Sequence, residues 1–170
     1  DQLRVDLEGH GREDGLSDLI LDETVGWFTS FYPFMLSCRD IDGDLSNLIC
    51  RVKESYRSIP NKGLGYGVLR HLSGDDRLAA LEETSGQGIL FNYLGQFDSS
   101  VGEGAFFQAA PEIRGAEGSA RRGMTHDLAL NGQVSNGQLS FSLTYARASF
   151  SAAAVRSLVG SIETALTDLI

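Results

Sequence analysis

The sequence predicts a mixed α/β domain, a mixed sheet packed with helices. Three observations carry that prediction. Residues 2–8 alternate strictly between apolar and polar side chains, two segments near 45–59 and 155–169 repeat apolar residues at helical spacing, and two β-patterned runs flank Asn136-Gly137. The chain has 170 residues, enough for one core, and no internal repeat divides it.

The elements follow in order. In QLRVDLE, Leu3, Val5 and Leu7 point one way and Arg4, Asp6 and Glu8 the other, which is the two-residue period of a strand. The chain thus opens inside a strand, as a cut domain would. A polar loop follows Gly9-His10-Gly11, with one helical turn around Leu16 to Ile20. The aromatic and β-branched run from Thr24 to Leu36 predicts strand, interrupted at Pro33. From Asp44 to Ile59, Leu45, Leu48, Ile49, Val52, Tyr56 and Ile59 form one helical stripe that Asp44 can cap and Pro60 ends. A glycine-rich loop, PNKGLGYG, leads to an amphipathic piece at Val68 to Leu72 and a short helix at Asp75 to Leu81. Gly88 to Phe97 reads as a buried strand. Glycine, alanine, serine and charge over Asp98 to Arg122 predict a long surface loop. His126 to Tyr145 is a hairpin, because Asn-Gly adopts the left-handed angles of a tight turn. Ser151 to Ile170 is an amphipathic helix with Val155, Leu158, Val159, Ile162, Leu166 and Leu169 toward the sheet.

Composition excludes several function classes. A net charge of −9 opposes nucleic-acid binding, since phosphates demand a basic face. No stretch approaches the roughly 18 apolar residues of a membrane span, and no signal-peptide pattern opens the chain, so the expectation is cytoplasmic and not membrane-bound. The cysteines, Cys38 and Cys50, lack CxxC spacing and a histidine pair, which predicts two free, partly buried thiols and no metal site.

Four constellations could carry chemistry. Glu8-Gly9-His10-Gly11-Arg12-Glu13 ends a strand with three kinds of ionisable group among glycines, a place where a carboxylate can enter a cleft. A carboxylate in partly apolar surroundings exchanges its proton closer to neutral pH. The alternative is a turn in which Arg12 pairs with a carboxylate and His10 is structural. Trp27 and Phe28, in TVGWFT, read as core strand rather than as a ligand box. Gly63-Leu64-Gly65-Tyr66-Gly67 could admit a ligand, with the Tyr66 hydroxyl in a cleft, or form a plain turn; it lacks the lysine and serine of a phosphate loop. His71 and His126 have no partner readable from sequence, and no GxSxG elbow supports a serine triad.

In their order along the chain, four segments resemble the motifs of nonribosomal peptide synthetase epimerization domains, in the condensation-domain superfamily. LEGHGRE at Leu7 to Glu13 resembles EGHGRE, TVGWFTSFYP at Thr24 to Pro33 resembles TVGWFTxxYP, PNKGLGYG at Pro60 to Gly67 matches PxxGxGYG, and FNYLGQFD at Phe91 to Asp98 matches FNYLGQ. The resemblance covers essentially the whole chain. Condensation domains that form peptide bonds usually carry a GxFVNT-type strand where this chain has TVGWFT, which favours the epimerizing branch over an acyltransferase fragment.

The resemblance implies a chloramphenicol-acetyltransferase-like fold of two subdomains, with this chain, residues 1–170, as the C-terminal one. It implies removal and return of the Cα proton of an aminoacyl or peptidyl thioester. That thioester is carried on the phosphopantetheine arm of a peptidyl carrier protein, and the chain itself binds no cofactor. Glu8 matches the family's glutamate on one side of the exchange and Tyr66 a tyrosine near the site; His10, Arg12 and Asn92 match supporting positions. The family's HHxxxDG motif lies upstream of these segments, in the N-terminal subdomain, and no adjacent histidine pair occurs here. The chain alone is therefore expected to bind carrier protein weakly and not to epimerize; a non-catalytic docking module is the alternative. The face meant for the N-terminal subdomain would be apolar and prone to self-association.

Overall fold

Five strands form one mixed sheet in the computed structural model, which describes residues 2–9, 21, 23–37, 44–74, 88–96, 112, 115, 119 and 122–169. The strands are β1 (Gln2–Gly9), β2 (Ser30–Ser37), β3 (Ile89–Gln96), β4 (Leu128–Ser135) and β5 (Gln138–Tyr145). Their order is β2-β1-β3-β4-β5. The outer pairs are antiparallel, while β1–β3 and β3–β4 run parallel. Parallel neighbours need crossovers, so the centre of the sheet joins segments far apart in sequence. Between β4 and β5, Asn136 (φ 53°) and Gly137 (φ 67°) make the two-residue hairpin turn expected from the sequence.

β2 differs from its expectation in two respects. It begins at Ser30, not Thr24, and it continues through Pro33, which pairs with Asp6. Among the described residues β2 is an edge strand, and an edge tolerates proline because the missing N–H can lie on the solvent side. Trp27 is 84% exposed and lies outside any strand, so the core role expected of it is not met. β3 is central but only half covered: Asn92 is buried, whereas Tyr93 and Leu94 are exposed.

Helix α1 (Leu45–Arg57) starts where its cap predicts, with Asp44 accepting a hydrogen bond from the Asn47 N–H at 3.1 Å. It stops at Arg57. Ile59 is already extended (φ −66°, ψ 120°), the conformation required of a residue before proline. Cys50 lies exposed on α1, not partly buried. After a 3₁₀ turn at Pro60–Gly63, α2 runs from Leu64 to Leu72. Gly65, Tyr66 and Gly67 are therefore helical rather than looped. Left-handed backbone at Asn61, Lys62 and Gly63 completes the reversal early and starts the helix before the glycines can act as a loop. Helix α3 (Ala152–Thr167) is capped by Ser151, which accepts from the Ala154 N–H at 3.2 Å.

The helical turn at Leu16 to Ile20, the helix at Asp75 to Leu81, Cys38 and most of the loop from Asp98 to Arg122 lie outside the described residues. Among the described residues no helix is long and apolar enough to cross a membrane.

The odd-numbered residues of β1 and the even-numbered ones of β2 face α1 and α3. Among the described residues Val5, Tyr32, Phe34, Leu128 and Val155 are the best-buried apolar side chains. Phe34 meets Tyr56 of α1 edge to face, with ring centroids 6.3 Å apart. Gly63, at φ +82°, packs so closely on Tyr32 that a Cβ there would strike the ring. Gly63→Ala therefore adds left-handed strain to overpacking and is expected to cost about 2–4 kcal/mol, read as a lowered urea midpoint. A loss below about 0.5 kcal/mol would show that the turn simply moves aside.

Candidate functional site

The other face of the sheet carries polar groups. Strand parity puts Arg4, Asp6 and Glu8 on that face, and the pairing register extends it sideways. Glu8 is in register with Phe31 of β2 and with Asn92 of β3, Asn92 with Asn131 of β4, and Asn131 with Ser142 of β5. A polar row thus crosses the sheet from the end of β1. Asn92, 7% exposed, is its best-buried member. Glycine at position 9 belongs to the same construction, because a Cβ there would lie 2.9 Å from Ser30 Oγ.

Two residues back along β1, Asp6 is the hub of a buried cluster. Arg4 approaches it with two nitrogens, Nε donating to Oδ1 at 3.0 Å and Nη2 to Oδ2 at 3.1 Å. His126 reaches it from the segment before β4, with Nε2 3.0 Å from Oδ2. An ionised carboxylate only accepts, so Nε2 carries the proton. In the neutral ring Nδ1 then accepts from the Thr125 hydroxyl, 3.1 Å away. The Asp6 and His126 side chains are only 12% and 11% exposed. Such bidentate, charge-assisted bonds are among the stronger polar interactions in proteins.

A cleft of about 430 Å³ opens over this cluster. Phe31, Tyr32 and Pro33 of β2 form one wall, and Tyr66, Arg70 and His71 of α2 another. Tyr66 and Arg70 are four apart on the helix and share a face. On the sheet's helical side lies an apolar trough of about 1130 Å³, bordered at one end by Glu8, Gly9 and Lys53.

The candidate residues are therefore placed unequally. Glu8 and Asn92 come together by register. Tyr66 faces the neighbouring cleft beside Asp6 rather than the Glu8–Asn92 row itself. His10 and Arg12 lie outside the described residues. The string His10 to Gly15 does spell HxxxDG, with Gly9 where the full motif has its first histidine. Asp6 and His126 carry no motif that marks them in the sequence. The alternation does place Arg4 and Asp6 on one face, but their third partner is 120 residues away. Among the described residues no group of three or more histidine, cysteine, aspartate or glutamate side chains could hold a metal ion.

Comparisons with known proteins agree with this architecture. A family model described as "Condensation domain" matches residues 1–170. A mycosubtilin synthase polypeptide of Bacillus subtilis is 42% identical over 145 residues, covering 85% of this chain and 5% of that protein. Bacitracin synthase 3 of Bacillus licheniformis is 38% identical over 171 residues, covering 99% of this chain and 3% of that protein. The crystal structure of the epimerization domain from the third module of tyrocidine synthetase B superposes with a TM-score of 0.82 at 34% identity, covering 98% of this chain and 36% of that one. The chain thus spans a few per cent of the curated relatives and about a third of the solved domain.

Proposed function

The chain belongs to the condensation-domain family of nonribosomal peptide synthetases, and from that premise we propose that it forms the C-terminal part of an epimerization domain. The reaction converts an L- to a D-aminoacyl or peptidyl thioester held on a carrier protein's phosphopantetheine arm. The thioester acidifies the Cα–H, and a positioned base takes that proton while a group on the other face returns one. Glu8 is the group on this chain's side. Asn92, its neighbour in register, can donate an amide hydrogen bond to the enolate oxygen, which is where negative charge develops. Tyr66 lines the adjoining cleft and acts on the substrate's approach. By resemblance His10 and Arg12 are supporting residues of the EGHGRE segment. The opposing histidine belongs to the N-terminal portion of the domain.

The observation that carries this reading is the juxtaposition of Glu8 and Asn92 across β1 and β3, since two separate family motifs supply the two residues. Deuterium wash-in at Cα of a carrier-loaded substrate tests it. We expect exchange by an intact domain containing this chain, none by the chain alone, and recovery when the N-terminal portion is added. Carrier binding without recovered exchange would favour a docking module.

A further inference from the structure

We propose that the cleft between β2 and α2 receives the side chain of the amino acid whose Cα proton is exchanged, and that its lining favours an aromatic side chain. The proposal deepens the reading of Glu8 as the exchanging group and rests on it.

A substrate's side chain branches from the same carbon that gives up the proton, so the space that takes it must adjoin Glu8. Phe31 makes that connection. It is the Cα partner of Glu8 across the antiparallel β1–β2 pair, and it also lines the cleft. Directly paired residues have Cα atoms about 4.5–5.5 Å apart and point to one face, so Phe31 and Glu8 leave the sheet side by side. Two residues along β2, Pro33 is paired with Asp6 in the same way and continues the wall.

The chemistry of the lining selects the guest. Asp6 is engaged with Arg4 and His126, and His126 with Thr125, so these polar groups satisfy one another. The surface offered to a guest is then the Phe31 ring, 47% exposed, with Pro33 beside it and the half-buried Tyr66 and Arg70 on the wall that α2 supplies. Aromatic rings pack edge-to-face or offset on other rings, and a guanidinium attracts a ring face. A volume of about 430 Å³ lies within the usual range of small-molecule pockets.

The apolar trough also reaches Glu8 at one end, but it lies on the opposite face of the sheet. Its β1 lining is Leu3, Val5 and Leu7, whose side chains alternate with that of Glu8, whereas Phe31 shares the Glu8 face. A Cα held at the Glu8 carboxylate therefore has the cleft, not the trough, on its own side.

Deuterium wash-in on carriers loaded with phenylalanine and with alanine tests the proposal in an intact domain containing this chain. The ratio of the two rates is compared between variants, which cancels the difference in intrinsic Cα acidity. The parent should favour the phenylalanyl carrier. Phe31→Ala should lower the phenylalanyl-to-alanyl ratio about 5- to 20-fold, the scale on which an apolar pocket contact discriminates. Tyr66→Ala should lower it as well, while Tyr66→Phe, which keeps the ring, should retain it. Ile49→Ala, in the trough, should leave the ratio unchanged. Circular dichroism and melting control for folding; if Phe31→Ala does not fold, Tyr66→Ala against Tyr66→Phe still decides. A ratio unchanged in Phe31→Ala, or lowered by Ile49→Ala instead, overturns the proposal. Faster exchange on an aspartyl carrier, lost in Arg70→Gln, overturns it too, because Arg70 and the exposed His71 would then make the cleft an anion site. Unchanged exchange in Glu8→Gln would instead overturn the reading of Glu8 beneath it.

Discussion

Glu8→Gln is expected to lower Cα exchange by an intact domain about 100- to 10,000-fold, the range that a positioned general acid or base contributes. Glutamine keeps the size and the acceptor oxygen of glutamate but can neither take nor return a proton. Because Glu8 is the next-to-last residue of β1, only half-buried and followed by Gly9, the substitution has little packing to disturb. Stability should stay within about 0.5 kcal/mol of the parent. The two readouts separate the roles. Lost exchange with an unchanged melting curve identifies a chemical group, whereas parallel losses would identify a structural one. Carrier binding should also persist, because in the proposed role the carboxylate acts on the Cα proton and not on the carrier surface.

Asp6→Ala is expected to be the most destabilising single change among the polar residues, by about 2–4 kcal/mol. Removing the carboxylate takes two bonds from Arg4 and the Nε2–H acceptor from His126. Buried donors that lose their acceptor carry a desolvation cost that exceeds the net worth of the pair they lost. The lower part of the usual range applies because Arg4 is 25% exposed and water can reach part of the guanidinium. Asp6→Asn retains one acceptor oxygen and should cost about half as much. Urea denaturation of the two variants checks the order. Equal midpoints for Ala and Asn would mean that the cluster's hydrogen bonds contribute nothing beyond the charge.

Local features of the fold were legible because they are written in local patterns. The caps Asp44 and Ser151 bond only three residues ahead, so a short stretch of sequence contains the whole interaction. Asn136-Gly137 is legible for the same reason: the left-handed angles belong to the two residues themselves. The misreadings arose where tertiary position decided. Pro33 looked like a break, yet it sits on an edge strand that does not need its N–H. Trp27 looked like core, but β2 begins only at Ser30 and the tryptophan is left outside. PNKGLGYG looked like a loop, yet three left-handed residues finish the turn and release Gly65 and Gly67 into α2.

The candidate site divides in the same way. Sequence by itself determined the mixed α/β class, the helices and their caps, the β4–β5 turn, and Glu8 and Asn92 as motif residues. Motifs and caps are contiguous, so residue type and spacing suffice to find them. Only the tertiary structure decided that β1 and β3 run parallel and bring Glu8 into register with Asn92. It alone brought His126 to Asp6 across 120 residues and set Tyr66 over that cluster. Strand order and register depend on closing long loops against sheet burial, a balance spread over the whole chain, and no short window of sequence contains it.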